Sequence, residues 1–238
     1  MQPRNKMLTA VLALAMGVAG CTSVPVKKIE ITPEEQVRLD HEAGLQVAAK
    51  FEPQQKFKRN EKVSHFLADL GTKGLATIAV LNRAKVEVKI LADEAKAWDN
   101  YGLPGVRLYL SAGVLKRTEY ESEVAALIAL QLAAIHKRVL MERLAQDPQA
   151  SLRLSAAEVL VLIDGAVQIL YDSGYDSRGL VSLWDIYAGS PKNSPYTEKQ
   201  LQSFKEKTHR AIVRFAPLIN PIVRTDRFIA VHDRIKQL

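Results

Sequence analysis

Histidine and glutamate are the side chains of this sequence that could bind a divalent metal and activate water, and they meet around one apolar segment. The segment EVAALIALQLAAIHKR begins at Glu123 and contains one histidine, His136. Side chains four positions apart share a helical face, and the residues four before and four after His136 are Leu132 and Leu140. No second imidazole can join His136 on one helix, so we expect this histidine to mark where a buried helix reaches solvent.

Other classes of site find little support in the residues around them. Ser122, Ser155 and Ser173 lack a nucleophile-elbow context, and the sequence has no glycine-rich phosphate loop. The basic residues are scattered along a chain of formal net charge +7, which argues against a nucleic-acid partner. A single cysteine excludes an intrachain disulfide. The apolar segment therefore remains the main candidate for a site.

Hydrophobic periodicity predicts a mainly helical α+β domain around this segment. Helices are predicted from Thr32-Pro33 onward, over 61–82 with an interruption near Gly71, over 119–144, from Ser155 to Tyr171, and within 176–189 and 198–215. The segments 85–91 and 106–111 alternate with a period of two and predict strands, the second after a turn at Leu103-Pro104-Gly105. Between Val124 and Ile135 the pattern is apolar on every face except at Gln131, so this helix should be buried all round.

The N-terminus has the pattern of a lipoprotein signal peptide. Two basic residues precede a short apolar stretch, and Val18-Ala19-Gly20 places small residues directly before Cys21. About 14 apolar residues are too few for a membrane-spanning helix, which takes roughly 20. We expect cleavage before Cys21 and attachment of lipid, including palmitate, to this cysteine. Thr22 follows it, and in lipoproteins that this pattern resembles a residue other than aspartate there directs the protein to the outer membrane, facing the periplasm.

Four parts of the chain follow from these patterns: a signal peptide at 1–20, a lipidated tether at 21–33, a domain at 34–215 and a C-terminal helical extension at 216–238. The tether has two prolines, two lysines and no sustained period. Cleavage would remove Arg4 and Lys6 from the 33 basic residues and none of the 26 acidic ones, which leaves a formal charge of +5. This mild excess favours an anionic lipid surface.

Four stretches, in one order, resemble a known family. They are WDNYGLPGVRLYLSAGVLKR, ESEVAALIALQLAAIHKR, SGYDSRGLVSLWDIYAG and SPYTEKQL. Their order and spacing resemble the gluzincin metallopeptidases of the HtpX, BepA and CAAX prenyl protease type, over roughly residues 30–205. The resemblance implies a metallopeptidase-like domain in which a small sheet packs beside the active-site helix, with zinc as the family's cofactor.

The zinc-binding residues that the resemblance implies are absent from this chain. In the family, the helix after Glu-Ser-Glu carries two histidines one turn apart with a glutamate between them that accepts a proton from zinc-bound water. Without a gap these positions fall on Leu130, Gln131 and Ala134. Leucine and alanine fill the place with hydrocarbon, and a buried leucine contributes roughly 1.5 to 3 kcal/mol. The site is predicted to be refilled and stabilised rather than merely damaged.

The family's third ligand, a glutamate on the next long helix, is also missing. Counting back from Gly174-Tyr175-Asp176 places it at Val159, or at Leu160 if Asp164 is taken as the family's aspartate. Glu158 lies next to this position. Farther along, the family's His-Pro becomes Ser194-Pro195 and its arginine becomes Gln200. We therefore predict no metal site and no cofactor.

The leading functional hypothesis is a catalytically inactive, metallopeptidase-like lipoprotein that binds envelope proteins or extended peptides. The strand beside the active-site helix pairs with substrate in the family, and 106–111 could do so here by strand addition. Arg107 and Tyr109 would then bind peptide on the face opposite Leu108 and Leu110. The equally weighted alternative is that they are ordinary alternating residues of a half-buried strand.

Two further hypotheses stay open. One is an active zinc metalloendopeptidase that uses the atypical ligands His136, Glu158 or Glu123, with metal supplied through a partner chain; no two of these residues share a helical face at a spacing of four. The other is a lipoprotein whose domain docks on other envelope proteins through its helices. Metal analysis separates the enzyme from the other two.

Overall fold

The computed structural model describes residues 31–82, 84–92 and 98–238 of the chain. It is mainly helical, with 58% of residues in helices and 8% in strands, which confirms the predicted α+β class. Residues 32–238 form one compact unit. The predicted signal peptide, Cys21 and most of the tether lie outside the described residues.

The helices are α1 (Pro33–Phe51), α2 (Glu61–Leu75), α3 (Ala112–Leu115), α4 (Glu121–His136), α5 (Val139–Gln146), α6 (Ala156–Asp172), α7 (Gly179–Ala188), α8 (Glu198–Ile212) and α9 (Asp226–Lys236). The strands are β1 (Phe57–Lys58), β2 (Glu87–Leu91), β3 (Tyr101–Leu103) and β4 (Arg107–Ser111), and a 3₁₀ turn at Glu52–Gln54 follows α1. Within the described ranges, no single helix is long and apolar enough to cross a membrane. Only α4 and α5 taken together have the necessary length and apolar character, and this pair is bent by 51°.

Capping residues lie at the predicted starts of α1 and α6 and at the predicted end of α6. The hydroxyl of Thr32 accepts a hydrogen bond from the backbone N–H of Glu35 at 3.2 Å, at the start of α1. At the start of α6, Ser155 and Glu158 form a reciprocal capping box. Gly174, at a φ of +77°, follows the end of α6. These starts and this end confirm the predictions.

The four strands form one mixed sheet in the order β1-β2-β4-β3. The two predicted strands, β2 and β4, are central and parallel, and β1 and β3 flank them in antiparallel pairings. A tight turn joins β3 to β4, in which Gly105 has a φ of +71°. The turn was predicted, but β1 and β3, of two and three residues, are too short to show a period.

The sheet separates two hydrophobic clusters. Leu108 and Leu110 of β4 belong to the large cluster that contains α4. Tyr109 and Leu103 belong to a smaller cluster with Phe51 of α1. One face of the sheet is thus covered by α1, and the other is packed against the central helices.

The predicted single helix over 119–144 is wrong, because the chain breaks between α4 and α5. Arg138 adopts a left-handed conformation, with a φ of +55°. Its guanidinium donates to both carboxylate oxygens of Asp40 in α1, each at 2.7 Å. The break lets this side chain reach a partner 98 residues earlier, which local periodicity cannot reveal.

The predicted interruption of the second helix near Gly71 is also wrong, because α2 continues to Leu75. A Cβ atom at Gly71 would lie 2.7 Å from a methyl carbon of Val86, which precedes β2. The glycine therefore serves the close approach of α2 to the sheet rather than a break in the helix.

The C-terminal helix α9 packs into the main core. Phe228 and Ile235 are fully buried in the same cluster as α4. The backbone N–H and the hydroxyl of Thr225 both donate to the carboxylate of the buried Glu121 at the start of α4, the N–H at 2.8 Å. The helical extension predicted at 216–238 is thus joined to the central helix α4 by the hydrogen bonds between Thr225 and Glu121.

Candidate functional site

Helix α4 carries the positions where the family resemblance places a metal, and it lies at the centre of the molecule. Every residue from Glu121 to Ile135 is buried, as predicted. Leu130, Gln131 and Ala134 are 4%, 2% and 4% exposed. His136 is exposed at the helix end, so the predicted point of emergence is confirmed.

A small cavity lies against Leu130 and Gln131. Its volume is about 10 Å³, close to the minimum that holds one water molecule. The rings of Trp98, Trp184, Tyr187 and Tyr196, together with Pro195, form much of its wall. Because the cavity is this small, neither a substrate group nor a hydrated ion fits at this position in the structure.

Polar atoms without hydrogen-bond partners also line this cavity. The Oε1 atom of Gln131 and the Oδ1 atom of Asp99 are buried and accept no hydrogen bond. Asp99 is 3.6 Å from the guanidinium of Arg153. Burial raises the pKa of Asp99 above its ordinary value, although Arg153 and Tyr101 act in the opposite direction. At the position where the resemblance places a catalytic glutamate, the chain thus has a neutral amide, the buried Gln131.

Asn100 links the start of β3 to α7 and β4. Its amide nitrogen donates to the Tyr187 hydroxyl at 2.7 Å, and its amide oxygen accepts from the Ser111 N–H at 2.8 Å. The strand β3 itself lies close to α4. A Cβ atom at Gly102 would lie 2.9 Å from the carbonyl oxygen of Gln131. The WDNYGLPG stretch thus positions the sheet against α4 at Gln131 through hydrogen bonds and close packing.

The residues present do not fit a zinc ion. A catalytic zinc needs three nitrogen, oxygen or sulfur ligands from the protein. Leu130, Ala134 and the fully buried Val159 offer hydrocarbon. Across the described ranges, no group of three His, Cys, Asp or Glu side chains has an arrangement that could hold a metal ion.

Of the three atypical ligand candidates, Glu123 and Glu158 have other partners, and Glu123 and His136 lie at opposite ends of α4. Glu123 caps α4 by accepting from the N–H groups of Glu119 at 2.7 Å and Tyr120 at 3.1 Å, while burial raises its pKa. His136 is thirteen residues farther along, about 20 Å at the rise of an α-helix. Partial burial and then the neighbouring Lys137 lower its pKa.

Glu158, the third candidate, is held at the start of α6. Partial burial tends to raise its pKa, but hydrogen bonds from Arg143 and Ser155 outweigh this effect, and the pKa lies below its ordinary value. The carboxylate accepts from the Ser155 N–H at 2.7 Å and from the Arg143 guanidinium. Both carboxylate oxygens are therefore used within the fold.

Arg107 and Tyr109, the predicted peptide-binding residues, lie under α1. They point opposite Leu108 and Leu110 as the alternation predicts, yet they are 8% and 1% exposed. Arg107 forms a two-pronged pair with Glu87 on the neighbouring strand, and the Tyr109 hydroxyl donates to Glu52 at 2.7 Å. Burial, then this bond to Glu52, raises the pKa of Tyr109. Since β2 and β4 pair along their length and β3 occupies the other edge of β4, an extended peptide would have to use a different strand.

The strand β3 provides the nearest such edge, and sequence reasoning missed it. It is an outer strand of the described sheet, and a groove of about 620 Å³ lies beside it, between α1 and the segment that follows α5. Phe51 and Tyr101 line the groove with their rings 5.0 Å apart. Asp99 and Arg153 line both the groove and the small cavity, so the two are adjacent. The sequence does contain a signal for β3, because NYGL directly before the turn Pro104-Gly105 is typical of the first strand of a short β-hairpin.

Comparison with known proteins adds no further identification. No protein-family model matches the chain, and a search of curated proteins finds no significant match. The resemblance to gluzincin metallopeptidases therefore rests on the four sequence stretches.

Proposed function

We propose that this protein is an outer-membrane lipoprotein, anchored through Cys21 and facing the periplasm, whose metallopeptidase-like domain has lost zinc and hydrolysis and binds extended peptides or envelope proteins. The observation that carries the proposal is the burial of Leu130, Gln131 and Ala134 around a cavity of about 10 Å³. Buried hydrocarbon at these positions of the central helix stabilises the folded domain, and it supplies no group that could take part in hydrolysis.

The loss of the site is consistent with the energetics of burial. A single remaining histidine or carboxylate here would be a buried polar group without a partner, at a cost of about 1 to 3 kcal/mol or more. Leu130 and Ala134 avoid this cost, and only the amide of Gln131 remains. The neutral amide is less costly to bury than the glutamate that the family has at this position.

The binding part of the proposal rests on the edge of β3 and its groove. Main-chain hydrogen bonds to a sheet edge give affinity to an extended peptide, and adjoining pockets give selectivity. Phe51, Tyr101 and Leu152 supply apolar surface in the groove, and Lys50 and Asp99 supply charges of both signs. This arrangement suits a peptide with alternating apolar and polar side chains.

Titration with zinc tests the loss of the site. The wild-type domain should take up no stoichiometric zinc and should unfold at the same denaturant concentration with and without a chelator, because no folding free energy is linked to metal. Restoring the helix with Leu130→His, Gln131→Glu and Ala134→His supplies two ligands, and adding Val159→Glu or Leu160→Glu should tighten zinc binding. The restored variants should be less stable than wild type without zinc and regain stability with it. Uptake of one zinc per wild-type chain at sub-micromolar affinity, lost on mutating His136 or Glu158, would instead restore the enzyme hypothesis.

An array of extended decapeptides tests the groove. Ala150 lines the groove, so Ala150→Trp should obstruct it and abolish peptide binding. The matched control, Ile229→Trp, places the same ring on the exposed face of α9 and should leave binding unchanged. Equal binding by both variants would show that peptides use another surface.

A further inference from the structure

The connection between α8 and α9 exposes apolar side chains. We call residues 213–221, VRFAPLINP, the apolar tip. Ile219 is 93% exposed and Val213 is 79% exposed, the two highest values among the large hydrophobic residues of the described chain. A single exposed isoleucine is ordinary on a protein surface, but two at this exposure within one short connection indicate a contact surface.

Both ends of the apolar tip are fixed to the core. Its exposed side chains are therefore held in solvent by an anchored backbone. At one end the ring of Phe215 packs on Tyr171 of α6, with centroids 4.8 Å apart. At the other end the N–H of Ile222 donates to the Gly174 carbonyl at 2.8 Å, and its carbonyl accepts from the Asp176 N–H at 3.0 Å. A loop anchored in this way loses little conformational freedom when it binds.

The backbone of the apolar tip is suited to an apolar surrounding. Pro217 and Pro221 have no N–H, which lowers the number of donors that would lose water on insertion. Asn220, at a φ of +55°, turns the chain at the most exposed point. Residues 218–220 therefore form a turn with a proline on each side.

Arginines surround the apolar tip. Arg210 and Arg224 flank it in sequence, are exposed, and form no ion pair with any described residue. Arg214 lies within it and pairs with Asp164, and Arg178 pairs with Asp176, next to the anchored end. Exposed apolar side chains flanked by arginines on both sides match the boundary between the acyl chains and the anionic headgroups of a membrane.

We propose that the apolar tip inserts into the headgroup region of an anionic bilayer and so orients the domain on the membrane. The proposal rests on the lipoprotein part of the proposed function, since Cys21 would hold the domain at that bilayer. Eleven residues separate the start of the tether from Thr32 and can span about 35 Å when extended. This reach is about twice the radius of gyration of a domain of roughly 200 residues, which is near 17 Å. The length of the tether is therefore compatible with entry of the tip and the lipid anchor into one membrane.

Depth-dependent fluorescence quenching tests the insertion on the full purified chain. Ile219→Cys, labelled with an environment-sensitive fluorophore, is mixed with vesicles of phosphatidylethanolamine and phosphatidylglycerol that carry nitroxide lipids. The control is Leu45→Cys on α1, where the leucine is 46% exposed. The two sites lie near opposite ends of α4, because Val223 bonds to Ser122 and Arg138 binds Asp40, and the 16 residues of α4 span about 24 Å.

Quenching at position 219 should exceed that at position 45 several-fold, and Arg210→Gln with Arg224→Gln should reduce its dependence on phosphatidylglycerol. The label reports on position 219 or 45 alone when Cys21 is acylated, because a free Cys21 thiol would also be labelled; mass spectrometry of Cys21 determines which case applies. An acylated chain with equal quenching at both sites would overturn the insertion while leaving the anchor intact. An unacylated chain that ignores the vesicles would overturn both. Protection of position 219 in envelope extracts without quenching by lipid would assign the tip to a protein partner instead.

Discussion

Truncation of Leu130 measures directly whether the position where the resemblance places a metal ligand is a packed part of the core. Leu130→Ala removes three carbon atoms from a side chain that is 4% exposed. At about 0.8 kcal/mol per buried methylene, the lost transfer free energy is about 2.4 kcal/mol. The wall of aromatic rings around the position restricts collapse, so a further cost for the cavity should bring the total to about 3 to 4 kcal/mol, within the usual range of 2 to 5.

The matched control is Leu45→Ala, the same substitution in the helix α1 at a site that is 46% exposed. About half of the transfer free energy applies there, so the loss should be no more than about 1.2 kcal/mol. Leu130→Met keeps the volume approximately and should cost less than about 1.5 kcal/mol. Leucine, alanine and methionine have similar helix propensities, so differences among the three variants report the effect of burial.

Denaturant unfolding followed by circular dichroism gives each free energy, and an unchanged m-value shows that the two-state treatment holds. A loss of about half a kcal/mol or less for Leu130→Ala is typical of surface substitutions and would refute the packing described for α4. A loss that appears only when zinc is present would refute the refilled site.

Two other predictions concern the anchor and the start of α6. Cys21→Ser should leave an unprocessed precursor that incorporates no labelled palmitate, and cleavage and membrane association equal to wild type would contradict the lipoprotein hypothesis. Glu158→Gln should lower stability at neutral pH by about 1 to 2 kcal/mol, since it weakens charge-assisted bonds from Arg143. Because the folded-state pKa of Glu158 is below its ordinary 4.5, this stabilisation is complete above that value and is lost as the pH falls through the folded-state pKa. The difference between the variant and wild type should therefore narrow below about pH 4.5, and a difference that does not depend on pH would contradict this origin.

Features fixed by neighbouring residues could be predicted from the sequence. The burial of α4 follows from an apolar run interrupted only at Gln131, and the cap at Thr32 follows from its residue type and position. The emergence of His136 follows from the Lys137-Arg138 pair beside it. Each of these depends on interactions within about one helical turn.

Features fixed by distant residues could not be predicted in the same way. The break between α4 and α5 depends on the pairing of Arg138 with Asp40. The burial of Arg107 depends on Glu87, its neighbour in the register of β2 and β4. A trace of this second pair is visible in the sequence, because opposite charges occur at matching positions of two alternating segments. The groove beside β3 combines three parts of the chain and has no local signature.

The stretches that carry the family resemblance divide according to what their residues do without a metal. Asn100 holds β3 to β4 and α7, Glu121 accepts from Tyr175 and Thr225, and Glu123 caps α4. These residues keep polar side chains because buried partners need them. The positions where the resemblance places the ligands, by contrast, have hydrocarbon or a neutral amide, and their buried side chains contribute by packing. A scaffold maintained by hydrogen bonds that do not involve the metal can lose its ion and keep its shape. Under the proposed function, that separation would let a binding surface beside β3 persist next to a position that does not support hydrolysis.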